Sequence, residues 1–276
     1  MRSQTTTTIT SDQNRHISLK ELWQYRELIY FFSWRDIKVR YKQTVLGIGW
    51  AIIQPLLAAA IFTIFFNRVA KIPSGSAKIP YPVLAYLGMT FWNCFSGTLS
   101  TVSNSILSAQ GVITKIYFPR LIPPLSATAL GIIDFMFAIV IFFVLLIVYR
   151  IPPHPLGVIM LLPSLLLATV AALGAGLFFA ALNVKYRDVR SALPFIIQIG
   201  FFVTPVVYPL TLIPQKYQTL AYLNPATGAI AGIKAAMFGD PINWIGILIS
   251  WLATFVFLAF GLWYFRRTQD NFVDII

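Results

Sequence analysis

Residues 156–182 read LGVIMLLPSLLLATVAALGAGLFFAAL, a run without a single charged side chain. A helix of this length would reach about 40 Å, more than the roughly 30 Å of a bilayer's hydrocarbon core. The 276-residue chain shares this bias, because 58% of its residues are hydrophobic and 11% are charged, against about 45–50% and about 25% in soluble proteins. The sequence therefore excludes an ordinary water-soluble domain and predicts an all-α membrane protein.

Six apolar runs of this kind make up a predicted transmembrane domain over residues 47–265. The fifth run contains Pro194, Pro205 and Pro209, and each proline removes a backbone donor, so we expect that run not to be one straight helix. An even number of spans places both termini on one side of the membrane. The predicted spans are residues 47–66, 82–107, 121–148, 156–182, 193–213 and 244–265.

The basic residues indicate the orientation of these spans. The side that carries both termini holds fifteen Lys and Arg, and the opposite side holds six. Because positive residues stay in the cytoplasm during insertion, both termini are predicted to be cytoplasmic, including the tail over residues 266–276. The formal net charge of +12 thus indicates orientation and contact with membrane lipid, and not a nucleic-acid partner.

The chain before the first span divides into two parts. Residues 1–16 are polar and rich in Thr, which predicts a disordered tail and no cleavable signal peptide. Residues 17–46 begin with Ser18 and Glu21 at the spacing of a capping box and continue as an amphipathic helix with a basic juxtamembrane segment. We expect this helix to lie at the lipid headgroups. Packing against the protein itself is the alternative.

Residues 214–241 form neither a clean span nor a polar loop. Asn224-Pro225 and Gly239-Asp240-Pro241 punctuate moderately apolar stretches, which favours short re-entrant helices before the last span. Irregular backbone at membrane depth needs protein or a water-filled cavity to satisfy its polar groups. A folded external loop is the alternative.

The residues that catalysis would require are few. There is no Gly-Lys dipeptide and hence no P-loop, the histidines are confined to positions 16 and 154, and Cys94 is the single cysteine. Asp134 is the one acid inside a predicted span, and a carboxylate at that depth needs a partner or a proton. It could serve a gradient-driven transporter, or it could make a structural hydrogen bond to a neighbouring helix.

Two further features suggest contacts outside the chain. Residues 111–120 are apolar, flanked by cations and too short to cross a membrane, which suits docking into a groove on a soluble partner; anchoring at the membrane surface is the alternative. The spans are also rich in aromatic side chains, which could face lipid or line a path for sugars. The channel-lining candidates are Trp50, Phe62, Phe65, Tyr86, Phe91, Trp92, Phe95, Phe201, Phe202 and Tyr208.

Several motifs resemble the permeases of ABC-2 type exporters that move O-antigen, capsule or teichoic acid polysaccharides. The motifs are WRDIKVRYKQTVLG over residues 34–47 with Trp50 and Gln54-Pro55-Leu56, the 115–120 stretch ending in Tyr-Phe-Pro-Arg, NVKYRD over residues 183–188, and Asn224-Pro225. The resemblance implies a half-transporter in the bacterial cytoplasmic membrane. Two copies would form one pore for a lipid-linked polysaccharide, and each copy would bind a soluble ATPase subunit that carries ATP and Mg²⁺.

In this interpretation the chain itself binds no cofactor or metal and is not an enzyme. Residues 111–120 act as a coupling segment, and the residues implied to contact or support the ATPase are Lys115, Ile116, Tyr117, Phe118, Arg120 and Trp23. Four cations before the first span could attract the diphosphate of the carrier lipid, each contributing about 1 kcal/mol. They are Arg35, Lys38, Arg40 and Lys42. The alternatives are a secondary transporter that uses Asp134 and a membrane-embedded transferase, which the lack of clustered acids disfavours.

Overall fold

The computed structural model describes residues 19–42, 49–65, 79–269 and 272, without the side chains of residues 19–21 and 50–52. The predicted tail over residues 1–16 lies outside this part, as does most of the C-terminal tail. Every regular element that the structure describes is helical, which confirms the all-α prediction. The helices are α1 (Leu19–Gln24), α2 (Arg26–Lys42), α3 (Gly49–Phe62), α4 (Tyr81–Ser108), α5 (Gln110–Ile113), α6 (Ile122–Val148), α7 (Pro155–Lys185), α8 (Arg187–Val203), α9 (Gln215–Ala221), α10 (Pro225–Phe238) and α11 (Trp244–Thr268).

Three of the described helices, α6, α7 and α11, are long and apolar enough to cross a membrane. Their outer faces carry exposed large apolar side chains, among them Val140, Ile147 and Phe255. Exposed apolar area on this scale requires a lipid environment, since soluble proteins rarely present large contiguous apolar patches. The protein is therefore a multi-pass membrane protein.

The bounds of α4, α6, α7 and α11 follow the predicted spans closely, the first span lies partly outside the described residues, and the fifth differs. That span was predicted over residues 193–213, but α8 begins at Arg187 and ends at Val203. Asp188 lies in its first turn, where a carboxylate interacts favourably with the helix dipole. Pro194 lies inside the helix, so the expectation that it interrupts the span was wrong. The helix ends before Pro205 because the residue preceding a proline disfavours helical geometry, and Thr204 is extended.

The helix α7 forms the centre of the bundle and packs against α4, α10 and α11. One close approach uses Gly176, where a Cβ atom would lie 2.6 Å from the Cγ1 atom of Val102 on α4. Small side chains along α7 allow neighbouring helices to pack this closely.

Buried apolar residues form two separate clusters at opposite ends of the long helices. The lower cluster joins α2, the loop before α6 and the ends of α4, α7 and α11. The upper cluster joins α4, α6, α10 and the first half of α7. The lower cluster contains Phe32, Ile106, Ala109, Ile113, Phe118, Leu121, Ile122, Leu177, Ala180, Ala181, Val184, Phe265 and Phe272. The upper cluster includes Tyr86, Phe91, Trp92, Phe135, Phe142, Leu167, Val206 and Met237.

The amphipathic segment is divided at Tyr25 into α1 and α2 and packs on the rest of the protein. Ser33 donates to the carbonyl of Ser126, and Tyr41 donates to Asp134. The two contacts lie eight residues apart on each helix, so α2 runs beside the first half of α6 in the same direction. The C-terminal end of α2 thus lies beside the middle of α6, about 18 Å along from the start of α6. This packing matches the alternative in which the segment packs against the protein itself, and the depth of α2 in a membrane stays a prediction.

The predicted gate region contains two short helices, α9 and α10, joined around Asn224. Gly157, at the start of α7, lies beside Met237, near the end of α10. At the other end of α10, Gly228 lies against Ser250, in the second turn of α11. The α9–α10 connection therefore lies deeper in the bundle than the end of α10, as expected of a re-entrant hairpin, while its depth in a membrane stays a prediction.

Candidate functional site

The coupling segment is held to the bundle by one aromatic side chain. Phe118 is only 1% exposed and lies in the lower cluster, where its ring centroid is 5.7 Å from that of Phe32 on α2. Burying a Phe side chain stabilises a protein by about 1.5–3 kcal/mol. Phe118 therefore anchors this segment to α2. The prediction that Phe118 itself contacts a partner does not fit this burial.

The neighbouring residues of the segment point outward. Tyr117 is 68% exposed, and Lys115 and Ile116 are also exposed. Arg120 is half-buried, stacks over the Phe118 ring at 5.7 Å and donates to the carbonyl of Ile113 at 3.3 Å. Burial lowers the pKa of Arg120, but an arginine side chain remains charged at neutral pH. The loop thus presents an aromatic and an aliphatic side chain beside positive charges.

Trp23, the other predicted support, is also exposed. Its ring lies 5.5 Å from the guanidinium of Arg26, and a ring stack of Tyr30 on Trp34 continues along α2. The opposite side of α1 and α2 packs against the lower cluster through Leu22, Tyr25, Leu28 and Ile29. The exposed aromatic stripe and the coupling segment are therefore attached to the same apolar block.

The four predicted phosphate-attracting cations differ in their surroundings. Arg35 pairs with Asp36 at 2.7 Å and lies over the Phe32 ring, and Arg40 pairs with Asp134 at 2.8 Å. Lys38 and Lys42 are exposed, and neither has an ion-pair partner among the described residues. The positive charge of the two lysines is therefore the less neutralised part of this cluster.

Asp134 is bound by two side chains from the end of α2. Tyr41 donates to its Oδ1 atom and Arg40 to its Oδ2 atom. A carboxylate that is ion-paired and hydrogen-bonded has the partners that a charge inside a span requires. This arrangement accords with the structural alternative for Asp134 and links α2 to the middle of α6.

The predicted channel aromatics differ in how far they are exposed. Tyr86 and Phe91 are both 0% exposed in the upper cluster, so a role in lining a channel does not fit their positions and their role is packing. Phe65 and Phe202 are exposed, and the side chain of Trp50 lies outside the described residues. Ring contacts connect α3, α4 and α8 through Phe62, Trp92, Phe95, Phe201 and Phe202.

The segment after α8 has its backbone carbonyls satisfied by other elements. Lys234 on α10 donates to the carbonyls of Pro205 and Val206 at 3.1 and 2.6 Å, and the Tyr81 hydroxyl donates to that of Val207. Asn224 donates to the Thr204 hydroxyl at 2.7 Å. We call residues 204–207 with these three side chains the gate clamp. Protein side chains thus satisfy the irregular backbone, as expected at membrane depth.

Gly88 on α4 makes room for the gate clamp. A Cβ atom at this position would lie 2.1 Å from the Val206 carbonyl oxygen and 3.0 Å from the Lys234 amine. Because real Cβ contacts are never that short, only glycine allows α4, α10 and the extended segment to meet here.

Two arrangements were not predicted from the sequence. There, Lys234 was one of the six basic residues on the outer side, and Arg40 was only a candidate lipid contact. Lys234 is the single charged residue of an otherwise apolar α10, and an isolated cation in such a stretch is a signal for a buried polar role. The pairing of Arg40 with Asp134 had no such signal, because residues so far apart in sequence meet only through the packing of α2 on α6.

Comparison with known proteins finds relatives that match nearly the whole chain. The chain is 27% identical over 252 residues to the O-antigen export system permease protein RfbA of Klebsiella pneumoniae, covering 91% of this chain and 95% of that protein. It is 25% identical to a protein of the same name from Myxococcus xanthus, covering 87% and 94%. It is 23% identical to the polysialic acid transport protein KpsM of Escherichia coli, covering 86% and 91%.

The sequence pattern of a family described as ABC-2 type transporter matches residues 27–238. This range runs from α2 to the end of α10 and includes the coupling segment, the gate clamp and nearly all of the gate region. The protein belongs to the ABC-2 type transporter family.

Proposed function

We propose that this chain is the permease subunit of an ATP-driven exporter that moves lipid-linked polysaccharide of the O-antigen, capsule or teichoic acid type across the bacterial cytoplasmic membrane. The observation that carries this proposal is the similarity to O-antigen and polysialic acid transport proteins along nearly their whole length. The sequence lacks a P-loop, so the proposal assigns ATP and Mg²⁺ to a separate soluble ATPase.

The proposed topology has six spans, namely α3, α4, α6, α7, α8 and α11, with both termini in the cytoplasm. The distribution of fifteen against six basic residues supports this orientation. It places the lower cluster and the coupling segment at the cytoplasmic face. The gate clamp and the α9–α10 hairpin then lie toward the outer face.

The proposed partners are a second copy of the chain and two ATPase subunits. Of the residues of α8, only Leu193 is buried, and Phe195, Ile199 and Phe202 are exposed, which supports placing this helix toward the second copy. If so, Ile199→Cys in a Cys94→Ser background forms a disulfide-linked dimer when membranes are treated with a mild oxidant such as copper phenanthroline. The matched control, Phe257→Cys on the exposed face of α11, stays monomeric on the same gel.

The ATPase contact is assigned to Lys115, Ile116 and Tyr117, with Trp23 and Arg120 beside them and Phe118 as the anchor. Exposed aromatic side chains are common hot spots of protein interfaces. Tyr117→Ala should therefore weaken co-purification of a Walker-motif ATPase by at least about tenfold. Tyr217→Ala, an exposed tyrosine on α9 at the other end of the bundle, is the matched control.

The carrier lipid's diphosphate is assigned to the basic cluster on α2, with Lys38 and Lys42 contributing most. Two lysines near one headgroup contribute about 2 kcal/mol together, so Lys38→Gln with Lys42→Gln should weaken binding of lipid-linked substrate roughly thirtyfold. Unchanged binding after all four cations are replaced by Gln would remove this assignment.

The decisive experiment is deletion of the gene followed by chemical analysis of the accumulated glycan. An exporter permease predicts that lipid-linked polysaccharide collects on the cytoplasmic side and that export returns only when the intact chain and its ATPase are both supplied. A secondary transporter that uses Asp134 would instead move substrate on an ion gradient alone, without nucleotide.

A further inference from the structure

A cavity of about 380 Å³ lies next to the gate clamp. The start of α4, residues 205–211, the α9–α10 hairpin and the turn before α11 enclose it. Its volume falls within the roughly 300–1,000 Å³ range of small-molecule sites. The gate region therefore contains a space that can hold one small ligand in each copy of the chain.

The cavity is lined by flat aromatic rings and by groups that form hydrogen bonds. Tyr81, Tyr208 and Tyr222 line it, and their hydroxyl oxygens can accept hydrogen bonds. The Gln218 amide nitrogen donates to the Ile213 carbonyl, which leaves its oxygen as an acceptor. Asn243 accepts from the Gly246 amide through its oxygen, which leaves its NH₂ group as a donor.

Lys234 and Asp240 provide the charges of the lining. A lysine ammonium has three N–H donors, and two of those of Lys234 go to the carbonyls of Pro205 and Val206. One donor remains for a ligand, and the exposed carboxylate of Asp240 can accept from a hydroxyl group. Because the lining has one basic and one acidic side chain and no cluster of either kind, it favours a ligand without net charge.

We infer that this cavity binds a neutral sugar unit. Stacking surfaces combined with separated donors and acceptors match a pyranose, which presents hydroxyl groups at its edge and C–H bonds on its faces. The inference deepens the proposed function, on which it rests, by placing a glycan subsite beside the gate clamp. A sugar held there would take the remaining donor of Lys234 and so bind to the same side chain that holds residues 205 and 206.

Among the described residues, part of the cavity lining is open to the surface. Thr211, Asp240, Pro241 and Asn243 belong to its lining and are exposed. In the proposed orientation this mouth faces outward, so the site would take sugar units that have passed the gate.

The test measures binding of small sugars to the full-length chain in lipid nanodiscs by saturation-transfer NMR. Methyl glucoside is the neutral probe and glucuronate the anionic one. Asp240→Asn removes a charged acceptor at an exposed position, and Thr211→Trp fills the mouth. Each variant should weaken methyl glucoside binding about tenfold, the usual effect of losing a charge-assisted hydrogen bond or access to the site.

Thr219→Trp is the matched control, because Thr219 is exposed on α9 and does not line the cavity. It should bind methyl glucoside as the unaltered chain does. Equal binding by Thr211→Trp, Asp240→Asn and the control would overturn the inference, as would tighter binding of glucuronate than of methyl glucoside.

The assay separates this inference from the proposed function because it needs neither ATP nor the ATPase. A preparation that exports lipid-linked glycan with ATP but binds no methyl glucoside contradicts the subsite alone. A preparation that binds the glucoside but exports nothing when the ATPase and ATP are present contradicts the proposed function.

Discussion

Both ends of the bundle contain a buried apolar cluster, but among the residues that the structure describes only the upper end adds hydrogen bonds from side chains to an extended backbone segment. At the lower end, Phe32, Phe118 and Phe265 pack in an apolar cluster that ties the coupling segment to α2 and α11. At the upper end, Lys234 and Tyr81 hold the carbonyls of residues 205–207 by hydrogen bonds. Close-packed apolar groups resist rearrangement, whereas hydrogen bonds contribute about 0.5–3 kcal/mol net each, most where a group is charged, and can exchange with water or a ligand. We therefore expect the lower end to transmit movements of the ATPase to the helices, and the gate clamp at the upper end to open.

The largest expected effect comes from the lower cluster. Phe118→Ala should lower the free energy of unfolding by about 3–5 kcal/mol, because it removes a fully buried ring and leaves a cavity. Thermal or denaturant unfolding in detergent measures this. Tyr117→Ala, one residue away and exposed, should change stability by less than about 0.5 kcal/mol while weakening ATPase binding. Equal losses of stability in the two variants would contradict the division between anchor and contact.

The next largest effect concerns the gate clamp. Lys234→Met leaves the carbonyls of Pro205 and Val206 without their donor, at a cost of about 2–4 kcal/mol if water does not replace it. The same variant should raise passive leakage of small solutes from proteoliposomes, because residues 204–207 lose one of their supports. Lys216→Met, an exposed lysine on α9, should alter neither quantity. Wild-type leakage in the Lys234 variant would indicate that the clamp does not seal the pore.

The smaller third effect tests whether the clamp depends on close approach by α4. Gly88→Ala forces a Cβ atom against the Val206 carbonyl oxygen and should cost about 1–3 kcal/mol. Gly97→Ala on the same helix is the control, since nothing lies within 4 Å of its added Cβ atom. Alanine has the higher helix propensity, so the control should be neutral or stabilised by up to about 1 kcal/mol. The free energy of unfolding should therefore fall in Gly88→Ala and stay unchanged or rise in Gly97→Ala.

The sequence predicted the helical elements well because long apolar runs leave few alternatives. The predicted span over residues 121–148 is observed as Ile122–Val148, and that over residues 156–182 as Pro155–Lys185. The fifth span was displaced by several residues because Pro194 is tolerated inside α8, while the expected interruption occurs at Pro205. The pattern of apolar runs thus predicted where the helices lie, but not where each of them begins and ends.

The candidate sites were less predictable, because their members come from distant parts of the chain. Whether Phe118 faces a partner or the protein interior depends on the position of α2, which the local sequence does not contain. Tyr86 and Phe91 are likewise of the residue type expected in a channel wall, but they lie inside the upper cluster. The clamp on residues 205–207 requires α4 and α10 to meet, and only the tertiary packing provides that contact.

The smallest expected effect concerns the joint between the two ends, where α2 meets the middle of α6. Asp134→Asn removes the ion pair with Arg40 but keeps an acceptor for Tyr41, and because the arginine is partly exposed we expect a loss of only about 1 kcal/mol of stability. Asp36→Asn, which removes the pair between adjacent residues Arg35 and Asp36 within α2, is the control and should cost less than about 0.5 kcal/mol, because that pair joins no second helix. ATP-dependent export per folded molecule, measured in proteoliposomes, should be retained in both, since a structural ion pair holds α2 in place without carrying a proton. If Asp134→Asn instead abolishes export at unchanged stability, the carboxylate belongs to the transport step itself, and α2 cannot be regarded as a passive link between the rigid lower end and the gate.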